Sequence, residues 1–164
     1  MLRLFYVTVV FMMVGCVSSE VTSVKEDSIG EGKFYLGLSQ AELEKSIDCG
    51  IVKYGKDELW GADGLYHQDW NYADCGISFD MTSGEQNASK VVESITIVSP
   101  SKLTTEKGIG IGSTYDEVMT AYKTRWNKGE SRDDLFVVDS IFGGILFRMT
   151  DGKVEDVFVG AGAE

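Results

Sequence analysis

The sequence contains very little histidine, proline or cysteine. Its 164 residues include one histidine, His67, one proline, Pro100, and three cysteines. A histidine-based catalytic triad or dyad would have to use His67, and no Gly-x-Ser-x-Gly motif accompanies it. No group of His and Cys residues has the spacing of a zinc site. We therefore predict no enzyme, no metal site and no cofactor.

One enzymatic alternative does not need histidine. Two carboxylates that converge in a cleft and have perturbed pKa values can act as an acid and a base. The spacing of the acidic residues along the sequence shows no such pair, and the alternative would require one.

Positive charge is also scarce. The chain has 15 Lys and Arg residues against 26 Asp and Glu residues, which gives a formal net charge of −11. Such a chain is a poor ligand for nucleic acid or for anionic lipid, and we predict that it binds neither through charge. The acidity either keeps the protein soluble or steers a basic partner towards it, and the composition leaves both explanations open.

The sequence has no apolar segment long enough to cross a membrane, and its longest apolar run is a short one near the amino terminus. Residues 4–14 are apolar over about a dozen positions, a length typical of a signal-peptide core. A helix that crosses a bilayer needs about 20 such residues. The segment therefore predicts export of the chain.

The end of this apolar segment carries a short motif. Met13-Val14-Gly15-Cys16 resembles a bacterial lipobox, which implies that residues 1–15 are a signal peptide and that Cys16 becomes a lipidated, palmitate-bearing amino terminus. The alternative is an ordinary secretory signal with Cys16 incidental. Val17, in place of an Asp, favours the outer membrane, with the protein facing the periplasm. Residues 16–32 are polar beyond Cys16 and predict a flexible tether.

Two cysteines remain after Cys16. In an exported chain, Cys49 and Cys75 predict a disulfide, which would tie the end of a first helix to a strand that begins at Cys75. Two free buried thiols are the alternative. A redox-active pair is disfavoured because the sequence has no Cys-x-x-Cys motif.

Three blocks of sequence occur twice, in the same order both times. The matched blocks are 36–43 with 111–118, 76–81 with 144–149, and 92–97 with 154–159. Such matches are typical of tandem structural units. We therefore expect residues 33–100 to form repeat one and residues 101–164 to form repeat two, within one compact domain.

Each copy predicts a helix followed by strands. Ser39-x-x-Glu42 and Thr114-x-x-Glu117 are capping boxes, and apolar spacing extends the second helix from Tyr115 to Trp126. Alternating apolar residues predict strands at 77–81 and 145–149. The predicted fold class is α+β, with two tandem helix-plus-antiparallel-meander repeats whose helices pack on one face of the sheet. One continuous sheet and two abutting sheets both remain open.

A dense cluster of aromatic residues lies in the first copy, between positions 60 and 72. Tyr and Trp are enriched at binding hot spots, so this cluster predicts a partner-binding surface, although it could instead fill the space between sheet and helices. Arg148 and Phe158, outward-facing by alternation, could extend such a surface. The cluster consists of Trp60, Tyr66, His67, Trp70 and Tyr72.

The second capped helix carries a family resemblance. Ile111-Gly112-Ser113-Thr114 with Val118, and more weakly Leu36-Gly37-Leu38-Ser39 with Leu43, resemble the SmpA/OmlA family of small outer-membrane lipoproteins and the β-lactamase inhibitory protein. The Gly-Pro that usually follows the helix in that family is absent at Tyr122-Lys123-Thr124. The resemblance implies a non-catalytic protein that acts by binding other proteins.

The sequence as a whole thus predicts a lipid-anchored cell-envelope protein. We expect a non-catalytic protein-binding module, acting as an inhibitor, an assembly factor or a scaffold for an envelope protein. The alternative is a periplasmic lipoprotein that binds a small molecule with an aromatic pocket of Trp60, Trp70 and Tyr72.

Overall fold

Alternation of apolar and polar residues organises most of the chain into strands. The computed structural model describes residues 27–162. Its helices are α1 (Gln40–Ser46) and α2 (Tyr115–Tyr122). Its strands are β1 (Lys53–Tyr54), β2 (Glu58–Leu59), β3 (Tyr66–Tyr72), β4 (Ile77–Ser83), β5 (Val91–Val98), β6 (Leu135–Ser140), β7 (Gly143–Thr150) and β8 (Lys153–Gly160).

All eight strands belong to one antiparallel sheet. Its order is β1-β3-β4-β5-β8-β7-β6, and β2 also pairs with β3. The predicted α+β class with two helix-plus-meander repeats is therefore wrong, because the molecule is mainly an eight-stranded sheet. The helices have only 7 and 8 residues, too few to form a helical layer of their own. The sheet is continuous across its centre, where β5 pairs with β8.

One face of the sheet forms the hydrophobic core. Ile95 and Val157 are fully buried on the two central strands, and Phe79 packs edge-on against Phe34 at 5.4 Å between ring centroids. The ring centroids of Tyr122 on α2 and Phe147 are also 5.4 Å apart. Both helices and the connecting loops therefore cover this face, and the opposite face of the sheet is left to solvent or to a partner.

The helix starts agree with the sequence, but one helix end does not. Ser39 with Glu42 and Thr114 with Glu117 form complete capping boxes, which confirms both predictions. The extension of the second helix to Trp126 is wrong, because α2 ends at Tyr122. After that residue the chain turns over residues 123–125, and Trp126 forms an isolated bridge to Val138 of β6.

The predicted disulfide is confirmed. Cys49 is bonded to Cys75, with a Cα–Cα distance of 6.1 Å. Cys49 follows α1, and Cys75 ends a short 3₁₀ turn just before β4. The bond therefore attaches the end of the first helix to the start of a core strand.

The amino-terminal predictions lie partly outside and partly inside the described region. The signal peptide, Cys16 and residues 17–26 lie outside residues 27–162. Residues 27–32, which were assigned to the tether, pack on the fold: Ile29 is fully buried and bridges to both Phe34 and Thr105. Neither described helix is long and apolar enough to span a bilayer.

Irregularities in two strands shape the solvent-facing side of the sheet. The β4–β5 register shifts between Asp80 and Met81, and the β7–β8 register shifts between Arg148 and Met149. Gly160, with φ +142°, faces Ser94 so closely that a Cβ would lie 2.8 Å from the serine Cβ. Bulges and strand glycines bend sheets, and this sheet is concave on the side opposite the helices.

Candidate binding face of the sheet

The concave side of the sheet, opposite α1 and α2, is the candidate functional surface, and we call it the open face. It contains a depression of about 490 Å³. Side chains across its middle change from polar on β3, β4 and β5 to apolar on β8, β7 and β6. This cross-strand row is Asn71, Ser78, Thr96, Phe158, Leu146 and Val137.

The apolar end of the open face is built around Phe158. This ring and the side chain of Leu146 are half-buried cross-strand neighbours, and both line the depression together with Leu135. A half-buried phenylalanine leaves apolar area in contact with water, and removing that area from water contributes about 25 cal/mol per Å² before the costs of association are subtracted.

The other end of the open face is acidic. Asp69 on β3 and Asp80 on β4 are direct cross-strand partners, and Glu93 also lines the depression. Like charges placed directly opposite one another destabilise a sheet. His67 lies against Asp80, so Asp69 is the carboxylate of this pair that a positive charge from outside would neutralise.

Arg148 and Asp156 form an ion pair beside this depression. They are cross-strand partners, with 3.2 Å between Arg148 Nη1 and Asp156 Oδ2. Burial raises the pKa of Asp156 above the ordinary aspartate value, and Arg148 lowers it by a smaller amount. Since Arg148 is already paired with Asp156, its charge does not neutralise Asp69 or Glu93.

His67 is buried on the open face between two carboxylates. Its side chain is 3% exposed. Nδ1 lies 2.6 Å from Asp80 Oδ2, and Nε2 lies 2.9 Å from Asp63 Oδ2. Ionised carboxylates only accept hydrogen bonds, so both contacts are satisfied together when the imidazole carries two protons.

Trp60 covers this histidine. The indole and imidazole rings are parallel within 7°, with centroids 3.8 Å apart. An aromatic face attracts a cation placed over it. The imidazolium of His67 therefore holds Trp60 flat at the acidic end of the depression, where the indole remains 42% exposed.

The titration of this cluster reflects both burial and charge. Burial lowers the pKa of His67, but the hydrogen bonds and charges of Asp63 and Asp80 outweigh it, and the pKa lies above the ordinary histidine value. The pKa of Asp63 is lowered, first by the backbone N–H of Leu65 and then by His67. Since carboxylates occupy both ring nitrogens, His67 has no free nitrogen with which to act as a general base.

A buried ion pair supports the rim next to β3 and β4. Lys90 Nζ lies 2.7 Å from Asp57 Oδ1 and donates to Ser83 Oγ at 2.7 Å. Asp57 also accepts from the backbone N–H of Asn87 at 2.6 Å, and the hydrogen bond from Lys90 is the main reason that the pKa of Asp57 is lowered. The residues before β2 are thereby fixed to the β4–β5 loop.

The predicted aromatic cluster is divided between the two faces. Trp70 and Tyr72 are buried in the core, 2% and 5% exposed, and burial is the main reason that the pKa of Tyr72 rises to about 12. Trp60 and His67 lie on the open face. Tyr66 is half-buried and, four residues from Trp70 along β3, lies on the core side of the sheet. Strand alternation separates residues that are close in sequence.

The two outlying predicted residues do reach the open face. Phe158 and Arg148 both line its depression. Asp63, Asp69 and Asp80 were not among the predicted site residues. The available signal was the two-residue spacing of His67 and Asp69, which places both on one side of β3.

Neither a metal-binding cluster nor a similar known protein was found for this site. Within residues 27–162, no group of three His, Cys, Asp or Glu side chains could hold a metal ion. Comparisons with protein-family models, curated proteins and solved structures found no match to this chain. The resemblance to the SmpA/OmlA family and to the β-lactamase inhibitory protein stays a prediction.

Proposed function

We propose that this chain is a lipid-anchored, non-catalytic module of the bacterial cell envelope that binds a basic protein on its open face. The observation that carries the proposal is a concave sheet face with an apolar end at Phe158 and an acidic end at Asp69 and Glu93, next to the Asp80 carboxylate that His67 already pairs. Apolar contact supplies affinity, while complementary charge supplies orientation and association rate.

The dimensions of the open face suit a protein rather than a small molecule. Strands are spaced about 4.8 Å apart, so the six longer strands span about 25 Å. Strands of six to eight residues are about 20–26 Å long, so the face covers roughly 500–650 Å², most of the about 800 Å² on one side of a typical protein interface. The small-molecule alternative required a shared pocket of Trp60, Trp70 and Tyr72, and the sheet separates Trp60 from the other two.

The charge of the open face defines the partner's chemistry. Three acids line the depression: Asp69, Asp80 and Glu93. Among residues 27–162, His67 forms an ion pair with Asp80, and no basic side chain forms one with Asp69 or Glu93. A partner that places Lys or Arg side chains over this end relieves the repulsion between Asp69 and Asp80. The role as inhibitor, assembly factor or scaffold depends on which basic envelope protein this is.

The test compares charge removal on the two sides of the sheet. The full chain is used to capture proteins from a solubilised envelope extract, with Asp69→Asn as the test variant. Asp116→Asn, on the exposed first turn of α2, removes the same charge from the helix-covered side. We expect a basic protein that wild type and Asp116→Asn retain and Asp69→Asn loses by about tenfold, the equivalent of about 1.4 kcal/mol.

Salt provides the second arm of this test. Exposed charge pairs are screened beyond about 10 Å at 0.1 M salt, so the captured protein should be released as ionic strength rises. Capture of no specific protein, or equal loss with both variants, would reject the open face as the binding surface.

A further inference from the structure

The segment that carries Trp60 is a six-residue turn that follows the Leu59–Tyr66 pair of β2 and β3. It joins β2 to β3 and is closed internally by hydrogen bonds from Trp60 N–H to the Leu65 carbonyl and from Gly64 N–H to the Trp60 carbonyl. Asp63 accepts the Leu65 N–H through Oδ1 at 2.9 Å. We call residues 60–65 the Trp60 turn. These bonds keep the turn in one shape, whatever holds it against the sheet.

His67 supplies the recorded side-chain attachment of this turn to the open face. Asp63 Oδ2 reaches His67 Nε2, and the Trp60 ring stacks on the imidazole. On the far side, His67 Nδ1 is bonded to Asp80 in the middle of β4. The imidazolium therefore links a carboxylate on the turn to a carboxylate on the sheet.

We propose that the Trp60 turn is a pH-controlled flap over the acidic end of the open face, closed while His67 carries two ring protons and released when it loses one. The proton goes to solvent, and the neutral ring keeps a single N–H. That N–H stays with Asp80, since the sheet fixes the shorter contact. The Nε2 lone pair then faces the Asp63 carboxylate and repels it, and the loss of positive charge weakens the stacking of Trp60.

Other charged groups around His67 do not replace this link. Glu58 is its cross-strand partner on β2 and pairs with Lys56 at 3.7 Å. Asp69 lies two residues away on β3, beside Asp80. Among residues 27–162, only Asp63 and Asp80 hydrogen-bond to the ring, so release of the flap follows the proton on His67.

The direction of the pH effect follows from the sign of the shift. Folding raises the pKa of His67 above the value of about 6.5 expected for an exposed histidine. The stabilising contribution of the link is therefore complete below about pH 6.5, and it is lost as the pH rises through the folded-state pKa. This inference rests on the proposed function only for its consequence, which is that the acidic end becomes more accessible to a partner at higher pH.

The experiment uses the full chain without a partner. His67 is the only histidine, so its ring resonances in an NMR pH titration need no further assignment. The Trp60 indole N–H is identified by its loss in Trp60→Phe. We expect His67 to titrate above pH 6.5 and the nuclear Overhauser contacts between the Trp60 indole and the His67 ring to be lost with the same midpoint, while Trp70 and Trp126 stay unchanged.

Two variants make the result decisive. Asp63→Asn removes one negative neighbour and should lower both midpoints together by about one pH unit. His67→Gln should leave the Trp60 indole without a transition near neutral pH. The flap proposal is rejected if the Trp60 signal does not change with the His67 midpoint. It is also rejected if the midpoints are unchanged in Asp63→Asn. Neither measurement involves a partner, so a failure of partner capture would reject the proposed function and leave the flap standing.

Discussion

Single positions along a strand decide which side of the sheet a side chain serves. Phe79 and Phe158 are both phenylalanines in central strands, yet Phe79 is 1% exposed in the core and Phe158 is half-buried on the open face. Asp80 and Arg148 show the same principle for charge. They occupy matching positions of the two sequence blocks, each just before a register shift, and they place opposite charges on the open face.

The two phenylalanines provide a test of the two faces. Phe79→Ala should lower the free energy of unfolding by about 3–5 kcal/mol, because it leaves a cavity in the core. Phe158→Ala should lower it by less than half as much, because its ring already meets solvent, and should weaken partner capture instead. Urea denaturation of both variants measures the difference. Equal losses of stability would show that the open face is packed as tightly as the core.

At the scale of elements, local signals were predictable and tertiary ones were not. Both capping boxes were read correctly because a cap depends on residues three positions apart. The end of α2 was missed because pairing with β6, not helical periodicity, decides the conformation of Trp126. The predicted α+β class was wrong because the amphipathic patterns indicated two helices but did not define their lengths. The helices proved too short to form a layer beside the sheet.

The disulfide is the element-scale feature with the clearest energetic consequence. Cys49 and Cys75 are 26 residues apart, and closing a loop of that size stabilises the folded state by about 3–4 kcal/mol in the chain-entropy model. The double variant Cys49→Ser/Cys75→Ser should lose about that amount. Chemical denaturation checks it, with reduced wild-type protein as the matched control. A loss below about 1 kcal/mol in both samples would mean that α1 is held to β4 without the bond.

At the scale of the whole molecule, the candidate site depends on long-range assembly. Asp63, His67 and Asp80 come from a turn and two strands, and nothing in the sequence pairs Asp80 with His67 before the β3–β4 register is known. The outward position of Phe158 and Arg148 was predictable because alternation alone defines it. The acidic end was not, because it depends on the register that places Asp69 opposite Asp80.

The proposed membrane attachment is a property of the whole molecule as well. Cys16→Ser removes the thiol that a lipid would modify, so the full-length protein should move from the membrane fraction to the soluble fraction. Cell fractionation and immunodetection measure the distribution, with Ser18→Ala as a neighbouring control that should stay with the membrane. Persistence of Cys16→Ser in the membrane fraction would reject the lipobox.

Pairing of β5 with β8 at the centre of the sheet has a consequence for how the protein folds. Ile95 pairs with Val159, and Ile97 pairs with Val157, whereas the other long strands pair with neighbours in the chain. Strands joined by short turns can form early, but this pairing must wait for a strand made much later. Until then β5 presents an unpaired apolar edge, the kind of surface on which chains aggregate. Closure of the central pairing is therefore the expected slow step, and the half-built sheet is the form most exposed to association with other copies.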